Sequence, residues 1–334
     1  MRIGLSYDLK KSIVPDPSAP EDALEEYDSF ETIDILEASL QAEGHSIVRL
    51  GGGREFLENI LRERVDFVFN IAEGRGTYRG REAQVPSVLE MLRIPYSGSD
   101  PLCLAVCLDK HVTKKTVLAG GVCTSNWRLI KDKDEISEVN WSQFPLPAIV
   151  KPAYEGSSMG VHPSSLAFSP KEIVAVVSRM LDAYHQPIMA EEFIEGDEVT
   201  VGIVGNSPPQ IVGLMRILPR TRNSHFIYSV EAKRDYLNLI DYECPAQLPS
   251  EVLERITQSS LRAFTVLECR DFARLDFRVS PEGIPYFLEI NPLAGLGTYS
   301  DLVIMALKMG WTHQGLISAI FHAALKSYPP CVPA

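Results

Sequence analysis

Residues Phe272-Ala-Arg-Leu-Asp-Phe-Arg-Val-Ser-Pro-Glu-Gly-Ile-Pro-Tyr-Phe-Leu-Glu-Ile-Asn291 read as two strands joined by a turn. On the first strand, the period of two puts Arg274, Asp276 and Arg278 on one face. Ala273, Leu275, Phe277 and Val279 then face the other way, into a core. Ser280-Pro-Glu-Gly283 is good turn chemistry, and Glu289 and Asn291 share one face of the partner strand. Folding the hairpin brings Asp276 roughly opposite Glu289. Two carboxylates and an amide carbonyl on one wall suit a hard divalent cation such as Mg²⁺ bridging phosphates. A solvated hairpin face with an Arg274–Glu289 ion pair fits the same pattern, which by itself leaves both open.

Further signals lie upstream. Ala148-Ile-Val-Lys-Pro-Ala-Tyr-Glu-Gly-Ser-Ser-Met-Gly160 is a buried run delivering Lys151, followed by a loop of small residues. Such a loop can turn N–H groups and hydroxyls toward phosphate oxygens, with Lys151 as a point charge. It is neither a P-loop nor a dinucleotide fingerprint. Met189–Glu198 is a strand end with an acidic turn, suited to an adenine edge and a ribose, and equally to an exposed connector. Lys233 lies in a polar stretch, Glu231–Tyr236, that could fold over phosphates.

The first hundred residues alternate short apolar runs with amphipathic stretches. Strands are expected at Arg2–Ser6, Ile47–Leu50 and Asp66–Ile71, with helices around Phe30–Leu40, Glu55–Glu63 and Ala83–Leu92. This β-α-β-α-β-α order implies a mostly parallel sheet, with ligands at the carboxyl ends of its strands, near Ser6–Lys10 and Ala72–Arg81. Lys10–Glu26 has no period and reads as a long loop, either a lid or a tolerated insertion. One helix is expected over Asp100–Ala119, then strands at Trp127–Ile130, Pro147–Pro152 and Pro187–Phe193, with a helix at Pro170–Ala183. An antiparallel sheet of Val199–Val204, Ile211–Ile217 and the 272–291 hairpin follows, closed by helices at Leu302–Met309 and Thr312–Tyr328. The fold class is an α/β N-terminal domain followed by α+β material in two lobes.

The chain has 334 residues with 32 Lys+Arg against 44 Asp+Glu, a net charge of −12. That acid excess excludes a basic field for nucleic acid or an anionic membrane, so an anionic ligand must meet a few placed cations. The six cysteines show one close pair, Cys103 and Cys107, and no zinc pattern. The seven histidines are dispersed along the chain. The N-terminus carries no signal-peptide pattern and no apolar run reaches the ~18–20 residues of a membrane helix, so a cytoplasmic location is expected.

Taken together, these pieces resemble the ATP-grasp superfamily, most closely the D-alanine–D-alanine ligases. The carriers are Pro95-Tyr-Ser-Gly-Ser99, Leu108-Asp-Lys110, Ile149-Val-Lys151-Pro, Glu155-Gly-Ser-Ser-Met-Gly160, Glu191…Gly196-x-Glu198, Glu231-Ala-Lys233, Cys244-Pro-Ala, Arg274-x-Asp276 and Leu288-Glu289-x-Asn291. The resemblance implies a fold of three parts, an N-terminal substrate domain (1–108) and two ATP-clamping lobes (109–194 and 195–334). It implies that ATP phosphorylates a carboxylate and an amine then displaces phosphate. By the same resemblance Lys110, Lys151 and Lys233 hold the phosphates, under a loop containing Ser157 and Ser158. Glu191, the backbone of Glu192 and Ile194, and Glu198 hold adenosine. Asp276, Glu289 and Asn291 ligate one or two Mg²⁺ ions, with Mn²⁺ as an alternative. Arg274 and the Gly295 N–H stabilise the oxyanion, Ser158 is grouped with them as catalytic, and Ser300 meets the acceptor carboxylate.

The departures fall in the substrate half. Tyr27 stands where the family has an amine-binding Glu, and Ala72-Glu73-Gly74 replaces Leu-His-Gly. An arginine-rich stretch, Arg75 to Glu82, replaces Gly-Glu-Asp-Gly, Lys233-Arg234 replaces Lys-Tyr, and Pro292–Thr298 replaces Ser-Pro-Gly-Met-Thr. The candidate substrate residues are therefore Glu73, Arg79, Arg81, Arg234 and Ser300. Two D-alanines are the leading substrates. The alternative is another amino acid or secondary-metabolite precursor, its extra carboxylate seated by the arginines. A nucleotide-binding protein without ligase activity is a third reading, against which the retained Arg274 weighs. The family also implies a homodimer paired through the N-terminal domain.

Overall fold

A computed structural model describes residues 1–14, 16–221 and 225–328, so Cys331 lies outside the described residues. The N-terminal unit follows the expected alternation. It runs β1 (Arg2–Ser6), α1 (Phe30–Gln41), β2 (Ser46–Gly51), α2 (Gly53–Arg62), β3 (Phe67–Asn70) and α3 (Gln84–Leu92). The strands form a parallel sheet in the order β2-β1-β3. Ser29 starts α1 by accepting the Thr32 N–H, satisfying one of the donors a helix end leaves open.

The single helix expected over Asp100–Ala119 is two, α4 (Pro101–Leu108) and α5 (Lys110–Ala119). Asp109 breaks it. Its backbone is extended (ψ 95°), and its carboxylate accepts the N–H groups of His111 and Val112. The break sets Lys110 at the first turn of α5.

Two antiparallel sheets follow. One holds β4 (Trp127–Ile130), β5 (Ala148–Pro152), β6 (Leu166–Ala167) and, after α6 (Pro170–Tyr184), β7 (Ile188–Glu192), ordered β4-β7-β5-β6. The other begins with β8 (Asp197–Val204) and β9 (Gln210–Pro219), then α7 (Val230–Arg234), α8 (Tyr236–Leu239), β10 (Ile240–Glu243), α9 (Ser250–Val266), β11 (Phe272–Val279) and β12 (Pro285–Asn291). Its order is β10-β9-β8-β11-β12. α10 (Asp301–Lys308) and α11 (His313–Lys326) end the described chain. β6, β10 and α7–α9 go beyond the sequence-based expectation. In α9, Val252, Ile256, Ala263 and Phe264 are buried at helical spacing, a signal the sequence carries.

Ala273, Leu275, Phe277 and Val279 are buried as the alternation requires. β11 and β12 pair Arg274 with Asn291 and Asp276 with Glu289, and a register shift then passes over Leu288. α10 and α11 return to the N-terminal unit, where Leu302, Ile320 and Phe321 join Ile3, Leu5 and Phe67 in one core. Truncating buried Phe321 to alanine therefore costs ~3–5 kcal/mol at a point linking the two ends of the chain.

Residues 21–26, the end of the expected long loop, form a packed strap. Asp22 accepts the Gly160 N–H at 2.7 Å and the Tyr184 hydroxyl at 3.0 Å, and Glu26 accepts the Gly156 N–H at 2.5 Å. Cys269 joins the sequence pair Cys103 and Cys107, with Sγ–Sγ distances of 3.5 and 3.8 Å about Cys103. The sequence spacing shows only the pair, because the third thiol arrives from the turn after α9. No helix among the described residues is long and apolar enough to cross a membrane.

Candidate active site

Between the two antiparallel sheets lies a cleft with about 760 Å³ of empty space, the solvent at its mouth included. β5 carries Lys151 into it, β7 carries Glu191, α5 starts at its edge with Lys110, α7 brings Lys233, and β11 and β12 bring Asp276 and Glu289. Glu191 is fully buried between Lys114 at 2.6 Å and Lys151 at 2.7 Å. Against the effect of burial, the two ammonium groups hold its carboxyl down to about 2. Lys114, which the motif reading passes over, also donates to Ser125 and to the Phe287 carbonyl, so it ties α5 to β12. Glu191 is thus an anchor for Lys151 as well as part of the cleft wall.

Lys110 reaches Glu289 at 3.2 Å and donates to the Glu155 carbonyl. Burial works against ionisation of Glu289, but Lys110, Lys151, Arg274 and Lys233 hold it far below the usual carboxylate range. Lys233 has no ion pair among the described residues and stands 5.0 Å over the Tyr228 ring. Burial, then the nearby Arg274, lowers its pKa. A partly buried ammonium without a counter-ion, facing a cleft, is a cation waiting for an anionic ligand.

At the other end of the cleft Arg278 is buried and organises the turn after β7. It donates to the Ile194 carbonyl at 2.9 Å, pairs with Glu198 at 3.2 Å and stacks 4.6 Å from the Phe193 ring. The period-two pattern put Arg278 on this face but gave it no role. The Glu192 side chain turns outward to Asn126 at 2.6 Å, which leaves its backbone at the cleft wall. Ser157 and Ser158 both adopt left-handed backbone, φ 46° and 61°, a strained choice for serine. Ser158 is held there by a 2.8 Å bond to the Tyr228 carbonyl. Successive peptides of this shape turn their N–H groups to one side, forming a concavity suited to an anion.

Asp276, Glu289 and Asn291, expected as metal ligands, lie together on one wall. Asp276 and Glu289 are cross-strand neighbours, with Asn291 opposite Arg274. Arg274 holds Asp276 at 2.8 Å and lies 3.7 Å from Asp301 and 3.8 Å from Glu289. Asn291 Nδ2 is buried without a hydrogen-bond partner. Among the described residues no hydrogen bond fixes that amide, and its rotation offers the carbonyl oxygen to the same wall. Two anionic carboxylates and one amide oxygen match the donor set of a hard cation.

Comparison with known proteins agrees with this geometry. Residues 120–322 match the family model described as D-ala D-ala ligase C-terminus. A D-alanine–D-alanine ligase of Aquifex aeolicus is 32% identical over 293 residues, covering 87% of this chain and 94% of its own. The chain belongs to the D-alanine–D-alanine ligase family. The crystal structure of the Bacillus anthracis D-alanine–D-alanine ligase superposes with a TM-score of 0.74 at 26% identity, over 98% of both chains. The same enzyme complexed with ATP gives a TM-score of 0.73. The fold is the ATP-grasp fold, and the protein is a carbon–nitrogen ligase.

In this family member the substrate half departs from expectation. A second, polar chamber, about 380 Å³ of empty space with the solvent at its mouth included, is lined by Glu26, Glu73, Glu82, Ser157, Arg274, Asn291 and Gly295. Glu26, not Tyr27, faces it. Tyr27 lies under Arg75 at 5.9 Å and donates to the Gly74 carbonyl. A Cβ at Gly295 would sit 2.9 Å from the Ser300 hydroxyl oxygen, which would have to turn away, and Ser300 stands behind it at the start of α10. The arginines expected to seat an extra substrate carboxylate are engaged elsewhere. Arg79 is exposed, pairs with Asp109 at 2.9 Å and covers the Tyr154 ring. Arg81 is buried, with both Glu26 oxygens at 2.7 and 2.5 Å and Glu155 at 3.0 Å. Arg234 reaches back to Glu21 and Glu25 of the strap at 2.9 and 3.0 Å. Arg75 pairs with Asp8 at 2.9 Å. Each meets a carboxylate from an acid-rich neighbourhood that the sequence pattern could not place beside it.

Proposed function

We propose that this ligase joins two amino acids through an acyl phosphate, with ATP in the cleft and the amino acids in the polar chamber. D-alanine is the leading candidate, as the names of its relatives indicate. The observation that carries the reading is the convergence of Lys110, Lys151, Lys233 and Arg274 on the Asp276–Glu289 wall, at the junction of cleft and chamber. In this reading Lys151, Lys233 and Lys110 hold the triphosphate beneath the Ser157–Ser158 loop, and the turn after β7, braced by Arg278, receives the adenine. Glu198 receives the ribose.

Asp276, Glu289 and Asn291 are the residues that would hold Mg²⁺, which supplies neutralisation of the charge on the transferring phosphoryl group. The carboxylate oxygen of the first amino acid attacks the γ-phosphorus and ADP leaves. The amine of the second attacks the acyl carbon, phosphate leaves with the bonding pair, and the amine gives up a proton. Arg274 and the Gly295 N–H face the oxygen that gains charge in that second step. Asp22 and Glu26 hold the Gly156–Gly160 loop across the site, which limits water at the acyl phosphate. The division near residues 108 and 194 and a homodimer paired through the N-terminal unit belong to the same proposal, as does a location away from membranes and nucleic acid. The test is ADP release from ATP and Mg²⁺ across D- and L-amino acids, singly and in pairs. Release that requires an amino acid supports the ligase, and release with none of them, or indifferent to all, contradicts it.

A further inference from the structure

The polar chamber holds more carboxyl groups than its own cations answer. Glu26 is satisfied by the two bonds from Arg81 and by the Gly156 N–H. Glu73 and Glu82, which line the same space, have neither a hydrogen bond nor an ion pair among the described residues. Glu82 is only 8% exposed, so bulk water does little to replace a partner. Burial pushes its carboxyl up to about 8 against the pull of Arg81, and burial with the charges of Glu26 and Glu82 raises Glu73 well above the ordinary range. Arg274 is the one cation in the chamber lining, and Asp276 already holds it at 2.8 Å.

We infer that the amino acid activated in this chamber carries a second positive charge, as a short diamino carboxylic acid whose two ammonium groups meet Glu73 and Glu82. The inference rests on the ligase reading above and narrows its substrate. A plain amino acid brings one ammonium and leaves one buried carboxyl without a partner, a costly arrangement. A second ammonium answers both with charge-assisted hydrogen bonds. The arginines point the same way. Arg75, Arg79, Arg81 and Arg234 are all committed to protein carboxylates, so none of the four is free for an acidic side chain. The tightness of the chamber favours a short side chain.

The experiment is ADP release with ATP, Mg²⁺ and D-alanine as fixed acceptor. The varied partner is 2,3-diaminopropionate, 2,4-diaminobutyrate or ornithine in either configuration, against D-alanine and D-aspartate. One diamino acid should exceed both controls in kcat/KM by roughly 10- to 100-fold, the range of a hydrogen bond to a charged group. Glu82→Gln should collapse that ratio while the KM for ATP holds, and Glu73→Gln serves the same purpose if the first variant does not fold. D-alanine turned over as well as or better than every diamino acid overturns the inference and leaves the ligase standing. Absence of amino-acid-dependent ADP release removes both.

Discussion

The cleft and the polar chamber share one hairpin. Asp276 and Glu289 line the first, while Arg274 and Asn291, their neighbours on the same strand faces, line the second. In the cleft every buried carboxylate has a cation: Glu191 has Lys114 and Lys151, Glu289 has Lys110, Glu198 has Arg278, and Lys233 is left over. In the chamber the surplus is reversed, with Glu73 and Glu82 left over. A spare ammonium in one space and spare carboxyl groups in the next suit a triphosphate on one side and ammonium groups on the other. The acid excess of the whole chain decides neither, because the relevant charges are a few buried groups within van der Waals reach of the ligands.

The comparison breaks most sharply at the shared wall. Asp276→Asn or Glu289→Gln should lower ADP formation at least ~10³-fold, the scale of losing a preorganised electrostatic contact, with an unchanged circular dichroism spectrum. Turnover near wild type in either variant would remove these carboxylates from the reaction. Next in size, Lys233→Ala should raise the KM for ATP about 10- to 100-fold and leave amino-acid KM values in place, since its ammonium is the unpaired cation of the cleft. Equal rises for ATP and amino acid would move Lys233 out of the phosphate site.

A smaller effect tests the chamber without substrate. Burial keeps the Glu82 carboxyl protonated to about 8, whereas its ordinary value is 4.5. The folded chain therefore holds a proton that the unfolded chain has lost, and stability falls as pH rises through that window. Melting temperature measured from pH 5 to 8.5 should decline, and Glu82→Gln should flatten the decline. An identical slope in the variant would contradict the unpartnered carboxyl. The smallest effect is expected outside both spaces. Arg234→Ala breaks partly exposed pairs with Glu21 and Glu25 and should cost no more than about 1 kcal/mol by denaturant titration, with turnover little changed. A large loss of turnover would return Arg234 to the substrate site.

How much of this was legible depends on whether the partner of a residue is near in sequence. The 272–291 hairpin is local, so its alternation and turn were enough to pair Asp276 with Glu289, as observed. Lys110 and Lys151 lie in ordered motifs on a helix and a strand with a clear period, whereas Lys233 lies in a motif within a polar stretch that has none. The break at Asp109 was less visible, because α4 and α5 have nearly continuous helical composition and only a capping carboxylate divides them. The arginines were misread for a different reason. Arg81 meets Glu26 and Glu155, 55 and 74 residues away, and Arg234 meets Glu25 at a separation of 209. No spacing rule brings those groups together, so a stretch that looked like a free basic patch is neutralised by Asp8, Asp109, Glu155 and Glu26 of the strap. Lys114 and Arg278 were present in the sequence as polar residues on the correct faces. Their role depends on Glu191 and on the Ile194 carbonyl, which only the assembled sheets supply.

The most direct measurement follows oxygen. The amino acid giving the greatest ADP release is labelled with ¹⁸O in its carboxylate, and the phosphate released with ATP and Mg²⁺ is weighed by mass spectrometry. Transfer of the γ-phosphoryl group to that carboxylate leaves one ¹⁸O atom in each phosphate formed with product. Unlabelled phosphate, or AMP and pyrophosphate in place of ADP and phosphate, would contradict acyl-phosphate chemistry at the Asp276–Glu289 wall.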